Sequence, residues 1–330
     1  MIKILKSNPG IAFIIVPLIA ILAWVLAYSK GLMVATNGAM PLYDLLIKFV
    51  LPEQKLFYSI SGCLLVIAQA FHLNFVLNKH EVIYKNSWLP SLFYVLLMSL
   101  IPQFLVFQPI LIANSITILI IDKIFKLYKN QQPLALDFDI GFLISTSALF
   151  YYPSIILVLL FFAGVIILKP FAWRDWIVGL MGLILPFFFV FTYYFLTDQF
   201  QYLTTRFFTA NIRQDIDVWR LLPKGFGITV GYILVLLVLA LLKLSQHFNK
   251  NVIRTRNLQQ LMLIFNIVCA IMIVLTPEVQ LYRFTVLAIP FSFLLAYYFL
   301  AAKKSWYAEV AFWLLIANIV YNFFLMKLVM

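Results

Sequence analysis

The longest stretch of polar chemistry in this sequence runs from Asp198 to Lys224, between segments that are almost entirely apolar. Basic, acidic and aromatic side chains alternate along it: Arg206, Arg213, Asp215, Asp217, Arg220 and Lys224, with Phe207, Phe208 and Trp219. Basic groups beside aromatic rings suit an amphiphilic, anionic ligand at a membrane surface. An interfacial loop whose rings lie among lipid headgroups, with solvated charges, would have the same composition. Both interpretations place the stretch at a membrane surface.

Two other polar stretches carry carboxylates and a further arginine. The first holds Asp44 and Glu53, and the second, TPEVQLYR, holds Glu278 and Arg283. An acidic group can act as a general base, and Arg or Lys can hold a phosphate and stabilise it as a leaving group. Solvated loops also carry charges without any such role. The chemistry therefore depends on whether the fold brings these stretches to one surface.

Motifs for metal binding or nucleophilic catalysis are absent from the sequence. It contains no HExxH, no paired CxxC, no GxSxG and no glycine-rich phosphate loop. Cys63 and Cys269 lie inside apolar runs, which is typical of core residues rather than of a disulfide or a metal site. No metal site is predicted, no cofactor is evident, and a requirement for a divalent metal stays open.

The composition indicates an integral membrane protein. Of the 330 residues 65% are hydrophobic and 11% are charged, with a mean hydropathy of +1.02, whereas soluble domains carry about 25% charged residues. A membrane helix needs roughly 20 apolar residues, so the apolar runs predict ten or eleven spans in one all-α bundle over residues 1–330. The net charge of +12 is scattered over short loops, which argues against nucleic acid as a partner.

The first loop is predicted to lie outside the cell. Lys3 and Lys6 precede the first apolar run, which places the N-terminus in the cytoplasm by the positive-inside rule, and this run is interpreted as a retained span rather than a cleaved signal. In the next stretch, AMPLYDLLIKFVLP has apolar residues at helical spacing, with Asp44 and Lys48 on another face. We expect an amphipathic helix at the outer surface.

The segment from Ile140 to Leu168 decides the sidedness of all that follows. It holds 29 residues without a charge, and one straight helix of that length would measure about 43 Å against a hydrocarbon core of about 30 Å. One tilted span and a hairpin broken at Pro153 are both possible. The hairpin puts 15 of the 24 Lys and Arg residues inside, whereas the single span puts 13 there. The charge bias favours the hairpin and an external C-terminus.

Parts of the chain resemble known membrane proteins. The run from ANSITILIIDKIFKLYKN to LFFAGVIIL, with TPEVQLYRFTVLAIPFSFLLAYYF, looks like stretches of the C superfamily of glycosyltransferases, which use polyprenyl-phosphate sugars. Nearly the whole chain, especially NGAMPLYDLL, LFYYPSIILVLL and KPFAWRDWIVGLMGLILPFFF, resembles more closely an uncharacterised family of bacterial inner-membrane proteins, possible distant relatives of those enzymes. By position Asp44 matches the acid of the transferases' first outer loop, and Arg283 an arginine before a late span. The sequence departs from the transferases in lacking a paired acidic motif in that loop and a large soluble C-terminal domain.

This resemblance implies a glycosyltransferase-like protein of the inner membrane that acts on, or binds, polyprenyl-phosphate-linked sugars at the outer face. In that hypothesis Asp44 is the catalytic base. The phosphate-binding candidates are Arg206, Arg213, Arg220, Lys224 and Arg283, and further polar site candidates are Glu53, Asp215, Asp217 and Glu278. The alternatives are a non-catalytic component that binds lipid-linked intermediates or scaffolds a cell-envelope complex, and a transporter. The expected partners are membrane lipids, and the sequence names no protein partner.

Overall fold

The computed structural model describes residues 9–31, 40–49, 55–128, 133–169, 173–209, 226–248, 250–276, 281–302 and 305–325, and in these ranges the regular structure is helical. The α-helices are α1 (Pro9–Ser29), α2 (Pro41–Phe49), α3 (Lys55–Lys79), α4 (Leu89–Met98), α5 (Pro109–Lys126), α6 (Pro133–Phe150), α7 (Val158–Leu168), α8 (Trp173–Leu196), α9 (Phe200–Thr209), α10 (Phe226–Phe248), α11 (Ile253–Leu275), α12 (Ala288–Ala301) and α13 (Ser305–Leu325). Three 3-10 segments occur at Pro102–Phe104, Tyr152–Leu157 and Leu281–Leu287. The predicted all-α fold is confirmed.

Seven segments of the described chain are long and apolar enough to cross a membrane. They are Gly10–Ser29, Leu56–Lys79, Trp173–Leu196, Phe226–Phe248, Ile253–Leu275, Leu281–Ala301 and Trp306–Phe324. The other predicted spans correspond to the shorter helices α4, α5, α6 and α7. The protein is therefore a helical, multi-pass membrane protein.

Helix α4 covers only the first part of the largely apolar run from Trp88 to Leu105. It ends at Met98, and Ile101 is extended, with φ −137° and ψ 144°, because Pro102 disfavours helical backbone in the residue before it. Ten residues make a helix of about 15 Å, half of the hydrocarbon thickness. All residues of α4 are buried, so neighbouring helices enclose it on every side.

The charge-free segment from Ile140 to Leu168 is broken beside Pro153, as predicted. Helix α6 ends at Phe150, Tyr151 is extended with φ −143° and ψ 103°, and a 3-10 segment leads into α7. Pro153 has no N–H to continue the hydrogen bonding of α6. Lys169, just after α7, donates to Asp137, near the start of α6, at 2.6 Å. The chain has therefore reversed direction, and the segment is a hairpin of two short helices.

Side-chain contacts show which helix ends meet at each of the two ends of the bundle. At the Asp122 end, defined by the contacts around Asp122, helix ends meet through pairs such as His80 with Asp122 and Asn257 with the Ile167 carbonyl. At the Asp44 end, defined by the contacts around Asp44, α9 meets α2, and the start of α10 meets Phe284. Successive membrane segments alternate in direction between these two ends.

Basic residues are unequally divided between the two ends. Ten described Lys and Arg residues lie at the Asp122 end and five at the Asp44 end. The first group is Lys79, Lys85, Lys123, Lys126, Lys169, Arg174, Lys243, Lys250, Arg254 and Arg256, and the second is Lys30, Lys48, Lys55, Arg206 and Arg283. The positive-inside rule assigns the first end to the cytoplasm, and this orientation stays a prediction.

Close packing holds α6 against α8. A Cβ atom on Gly141 would lie 1.9 Å from the carbonyl oxygen of Gly179, and one on Gly182 would lie 2.2 Å from that of Phe138. Small residues at such positions let two backbones approach in a membrane, where packing drives helix association. This contact fixes α8, and α8 in turn positions α9 at the Asp44 end.

Candidate functional site at the Asp44 end

Asp44 lies in an ionic cluster between α2 and α9. Arg206 Nη2 is 3.1 Å from Asp44 Oδ2, and the hydroxyl of Tyr202 donates to the same oxygen at 2.5 Å. Tyr202 and Arg206 are four residues apart, on one face of α9, and the guanidinium carbon lies 5.4 Å from the Tyr202 ring centroid. We call Asp44, Tyr202 and Arg206 the Asp44 cluster. The fold thus joins two sequence-predicted site residues that are far apart in the chain.

Helix α2 is short and is held by its buried face. Of the described side chains of α2, Tyr43 has 0% exposure, whereas the leucines at the predicted apolar positions, Leu42, Leu45 and Leu46, are half-buried. Its hydroxyl donates to the Phe107 carbonyl at 3.3 Å, and α2 also packs against α6. Anchoring Tyr43 leaves Asp44 beside it on the part of the helix that meets α9.

Helix α9 is positioned by a turn and by aromatic packing. Asp198 ends α8 with φ 56°, a left-handed conformation that Asp adopts more readily than most residues, and Gln199 N donates back to the Tyr194 carbonyl at 2.9 Å. The Tyr194 and Tyr202 rings then stack at 5.7 Å, and the ring of Phe207 lies 5.6 Å from that of Tyr152. These contacts set the register that presents Tyr202 and Arg206 to Asp44.

The Asp44 cluster keeps its phenol neutral and its guanidinium charged. Burial raises the pKa of Tyr202, and its hydrogen bond to Asp44 raises it further. Burial alone would lower the pKa of Arg206, but the hydrogen bond with Tyr202 and the charge of Asp44 outweigh that effect and raise it. At neutral pH the cluster therefore offers a cation beside a carboxylate. The Tyr202 hydroxyl keeps its proton and donates it in a hydrogen bond to Asp44.

Both charged side chains of the cluster can be reached from outside. The Arg206 side chain is 41% exposed and that of Asp44 is 26% exposed. A guanidinium can bind a phosphate through two parallel hydrogen bonds, and a carboxylate within hydrogen-bonding distance of a substrate hydroxyl can accept its proton. The arrangement is chemically able to bind an anion at Arg206 and to accept a proton at Asp44.

Arg283 lies on another segment of the same end. It belongs to the 3-10 segment Leu281–Leu287, its Nη1 donates to the Thr276 carbonyl at 3.4 Å, and its guanidinium carbon lies 5.3 Å from the Phe284 ring centroid. The 3-10 segment Pro102–Phe104 packs against it, and Tyr43 reaches the same loop at Phe107. The loop from Leu100 to Phe107 thus lies between Arg283 and the Asp44 cluster.

The remaining predicted site residues lie outside the described residues. They are Glu53, Arg213, Asp215, Asp217, Arg220, Lys224 and Glu278. Within the described residues no three His, Cys, Asp or Glu side chains are grouped so as to hold a metal ion.

The sequence analysis missed two ionic clusters at the Asp122 end. Asp122 accepts from His80 at 2.8 Å and pairs with Lys126. Lys169 lies between Asp137, at 2.6 Å, and Asp175, at 3.3 Å. Sequence reasoning could have found the second cluster, because a hairpin from Ile140 to Leu168 must bring its two charged flanks together.

Asp137 and Asp139, which precede the charge-free run in the sequence, both pair with lysines. Helix α6 begins at Pro133, and both residues lie beyond its first turn. Asp137 has 0% exposure and pairs with Lys169, whereas Asp139 pairs with Lys123 at 2.6 Å. Burial explains the pairing of Asp137, because a buried carboxylate needs a counter-charge, whereas the Asp139 side chain is 47% exposed.

Comparisons with known proteins identify a family and no activity. No curated protein matches this chain, and no solved structure matches it. The profile of one family, described as a family of unknown function (DUF6427), matches residues 39–330. This range covers every described helix except α1 and includes the whole Asp44 cluster. The chain belongs to the DUF6427 family.

Proposed function

We propose that this membrane protein binds a polyprenyl-phosphate-linked sugar at the Asp44 end and transfers the sugar to an acceptor. The observation that carries the proposal is the Asp44 cluster, in which a carboxylate and a guanidinium, both partly exposed, meet 3.1 Å apart at one end of a membrane bundle. A lipid phosphate reaches a multi-pass protein from the bilayer, so a site at this end can receive both its headgroup and its chain.

The proposed division of labour follows from the chemistry of each group. Arg206 binds the phosphate of the lipid, and Asp44 accepts the proton of the acceptor hydroxyl as that oxygen attacks the sugar carbon. The bond from that carbon to the phosphate oxygen breaks, and the departing phosphate keeps the electron pair while Arg206 stabilises its charge. Under this proposal the phosphate replaces Asp44 as the partner of Arg206. The Asp44 end faces outward in the bacterial inner membrane.

A non-catalytic role is favoured by one specific observation. The oxygen Asp44 Oδ2 accepts from both Tyr202 and Arg206, so it already holds α9 against α2. In that alternative the carboxylate is a structural acceptor, and the protein binds lipid-linked intermediates or scaffolds an envelope complex without turnover.

The variant Asp44→Asn separates the two functions. Asparagine keeps the shape and an acceptor oxygen but removes the basicity, so the catalytic proposal expects loss of function at normal yield and normal lipid binding. The measurement is complementation of a strain that lacks the gene, together with the detergent-extracted yield of the protein. Asp198→Asn is the matched control, because Asp198 is an exposed carboxylate at the same end whose left-handed backbone suits asparagine.

Each outcome decides between the functions. If Asp44→Asn fails to complement at normal yield and Asp198→Asn complements, catalysis is supported. If Asp44→Asn complements fully, Asp44 is not a catalytic base and the non-catalytic role takes its place. If Asp44→Ala loses yield while Asp44→Asn keeps both yield and function, the acceptor oxygen of Asp44 is structural.

A further inference from the structure

An apolar groove runs down the bundle from the Asp44 end, between α4, α10 and α12. Its cavity volume is about 170 Å³, smaller than the roughly 300–1,000 Å³ of pockets that enclose a whole drug-sized ligand, so it can take a length of one chain. Its lining is almost entirely apolar and includes Leu97 and Phe104 on one side and Phe284 and Phe291 on the other. Along α10 the lining extends from Phe226 to Leu237, which corresponds to a length of about 17 Å at 1.5 Å per residue.

The lining is chemically suited to a hydrocarbon chain. Its two hydroxyl groups are already engaged within the protein: Thr229 Oγ1 accepts from Asn322 at 2.9 Å, and Thr285 donates to the Tyr282 carbonyl at 2.7 Å. A polar ligand would find little to bond in the groove and would lose its hydration there. A lipid chain carries no such cost.

The groove opens sideways toward the surrounding membrane. Val230 and Leu234 line it from α10, yet they are 38% and 55% exposed, whereas Ile233 and Leu237 on the same helix are buried. The outer wall is therefore incomplete along the face of α10 that meets lipid. A chain can enter from the bilayer without passing through water.

A cation lies at the mouth of the groove. Phe226 and Phe284 lie where the groove begins at the Asp44 end, with ring centroids 5.7 Å apart. The Arg283 guanidinium carbon is 5.3 Å from the centroid of the Phe284 ring. Since the groove descends from here toward the middle of the bundle, a lipid in it would carry its headgroup at the level of Arg283. An arginine at that position complements an anionic headgroup.

We propose that this groove binds one chain of a phosphate-bearing lipid and that Arg283 binds the lipid's phosphate before the headgroup moves to Arg206 in the Asp44 cluster. The inference rests on the proposed function for the class of lipid, and it adds a chain-binding site that the Asp44 cluster does not supply. A groove gains little over the bilayer by hydrophobic contact alone, because lipid tails are as apolar as its walls. The pairing with Arg283 therefore provides most of the selectivity.

Substitution of Leu234 by tryptophan tests the groove directly. In Leu234→Trp the indole occupies the open side of the groove, and lipid occupancy falls about tenfold or more. Val238→Trp is the matched control, because Val238 is on the same helix, is equally exposed at 55%, and does not line the groove. Native mass spectrometry of the purified full chain, titrated with undecaprenyl phosphate, reports the occupancy of each variant.

Two further measurements distinguish binding of the phosphate from binding of the chain, and a polyprenyl phosphate from another phosphate-bearing lipid. Arg283→Gln lowers the affinity for undecaprenyl phosphate by about ten- to a hundredfold, since charge-assisted hydrogen bonds typically contribute about 1.5–3 kcal/mol. The same variant leaves binding of undecaprenol, the alcohol without the phosphate, unchanged. A titration with phosphatidylglycerol shows whether the groove selects a polyprenyl phosphate or accepts any phosphate-bearing lipid.

Equal occupancy of the wild type, Leu234→Trp and Val238→Trp by undecaprenyl phosphate would overturn the groove as the chain site. If that binding is instead lost in Arg206→Gln, the proposed function stands and only the groove is wrong. If neither lipid phosphate binds the wild type, both the groove and the proposed function fail. A variant that elutes as an aggregate is replaced by Val230→Trp, which blocks the same opening and carries the same expectation.

Discussion

The Asp44 carboxylate has two possible roles, as a structural acceptor and as a catalytic base. Its Oδ2 accepts from Tyr202 and from Arg206, and these contacts join α2 to α9. A catalytic base needs a lone pair that faces the substrate, and the Asp44 side chain is 26% exposed. The proposed exchange of Asp44 for a phosphate at Arg206 reconciles the two roles, because the ligand itself releases the base.

At the residue scale, the sequence predicted which charged residues share one end of the bundle better than it predicted their contacts. Asp44 and Arg206 were expected at one surface because each follows an odd number of membrane crossings, and the structure brings them within 3.1 Å. Tyr202 was not predicted, since its role depends on the register of α9, which Asp198 and the Tyr194 ring determine. Side-chain identity alone does not reveal such tertiary positioning.

At the element scale, the hairpin of α6 and α7 is tied to α8 by one buried ionic cluster. Lys169 lies between Asp137 and Asp175, and the side chains of all three are at most 7% exposed. A second pair, Lys123 with Asp139, lies near the start of the same helix α6 but is 30% and 47% exposed. Coulombic attraction is much stronger where water is excluded, so Lys169 should contribute more than Lys123 to the free energy of unfolding.

Replacement of either lysine by methionine measures this difference. Lys169→Met leaves two buried carboxylates without their counter-ion, and we expect a loss of about 3–5 kcal/mol in the free energy of unfolding. Lys123→Met removes an exposed pair and should cost about 0–1 kcal/mol. Equilibrium unfolding of both variants in detergent provides the comparison, and equal losses would contradict the idea that the buried cluster secures the hairpin.

The ends of helices were predictable where a single residue determines them. Pro153 breaks the charge-free run as expected, because proline cannot continue a helix's hydrogen bonds, whereas Pro102 ends α4 earlier than its apolar pattern indicated. The close contact of α6 with α8 was not predicted. Gly141, Gly179 and Gly182 matter only because each faces a backbone or a ring of a neighbouring helix, and a sequence alone does not pair them.

At the scale of the whole molecule, the uneven distribution of charge predicts the orientation. Ten described Lys and Arg residues lie at the Asp122 end and five at the Asp44 end. The positive-inside rule therefore predicts that Gln201, exposed on α9, faces outside and that Lys250, exposed after α10, faces the cytoplasm.

Cysteine labelling in intact cells checks this orientation. With Cys63 and Cys269 replaced by alanine, a membrane-impermeant maleimide should modify Gln201→Cys and spare Lys250→Cys until the cells are opened. Both native cysteines are buried, so their removal should leave the surface unchanged. The reverse pattern of labelling would place the Asp44 cluster in the cytoplasm and exclude an outer-face reaction.

The central claim is that a phosphate-bearing lipid binds at the Asp44 end, and a density map of the protein in lipid nanodiscs with undecaprenyl phosphate tests it most directly. We predict density for a phosphate beside Arg206 or Arg283, continuous with a chain in the groove between α4, α10 and α12. A map with the lipid bound only at the Asp122 end, or with an empty groove and the Asp44 and Arg206 side chains still paired at saturating lipid, would contradict the account.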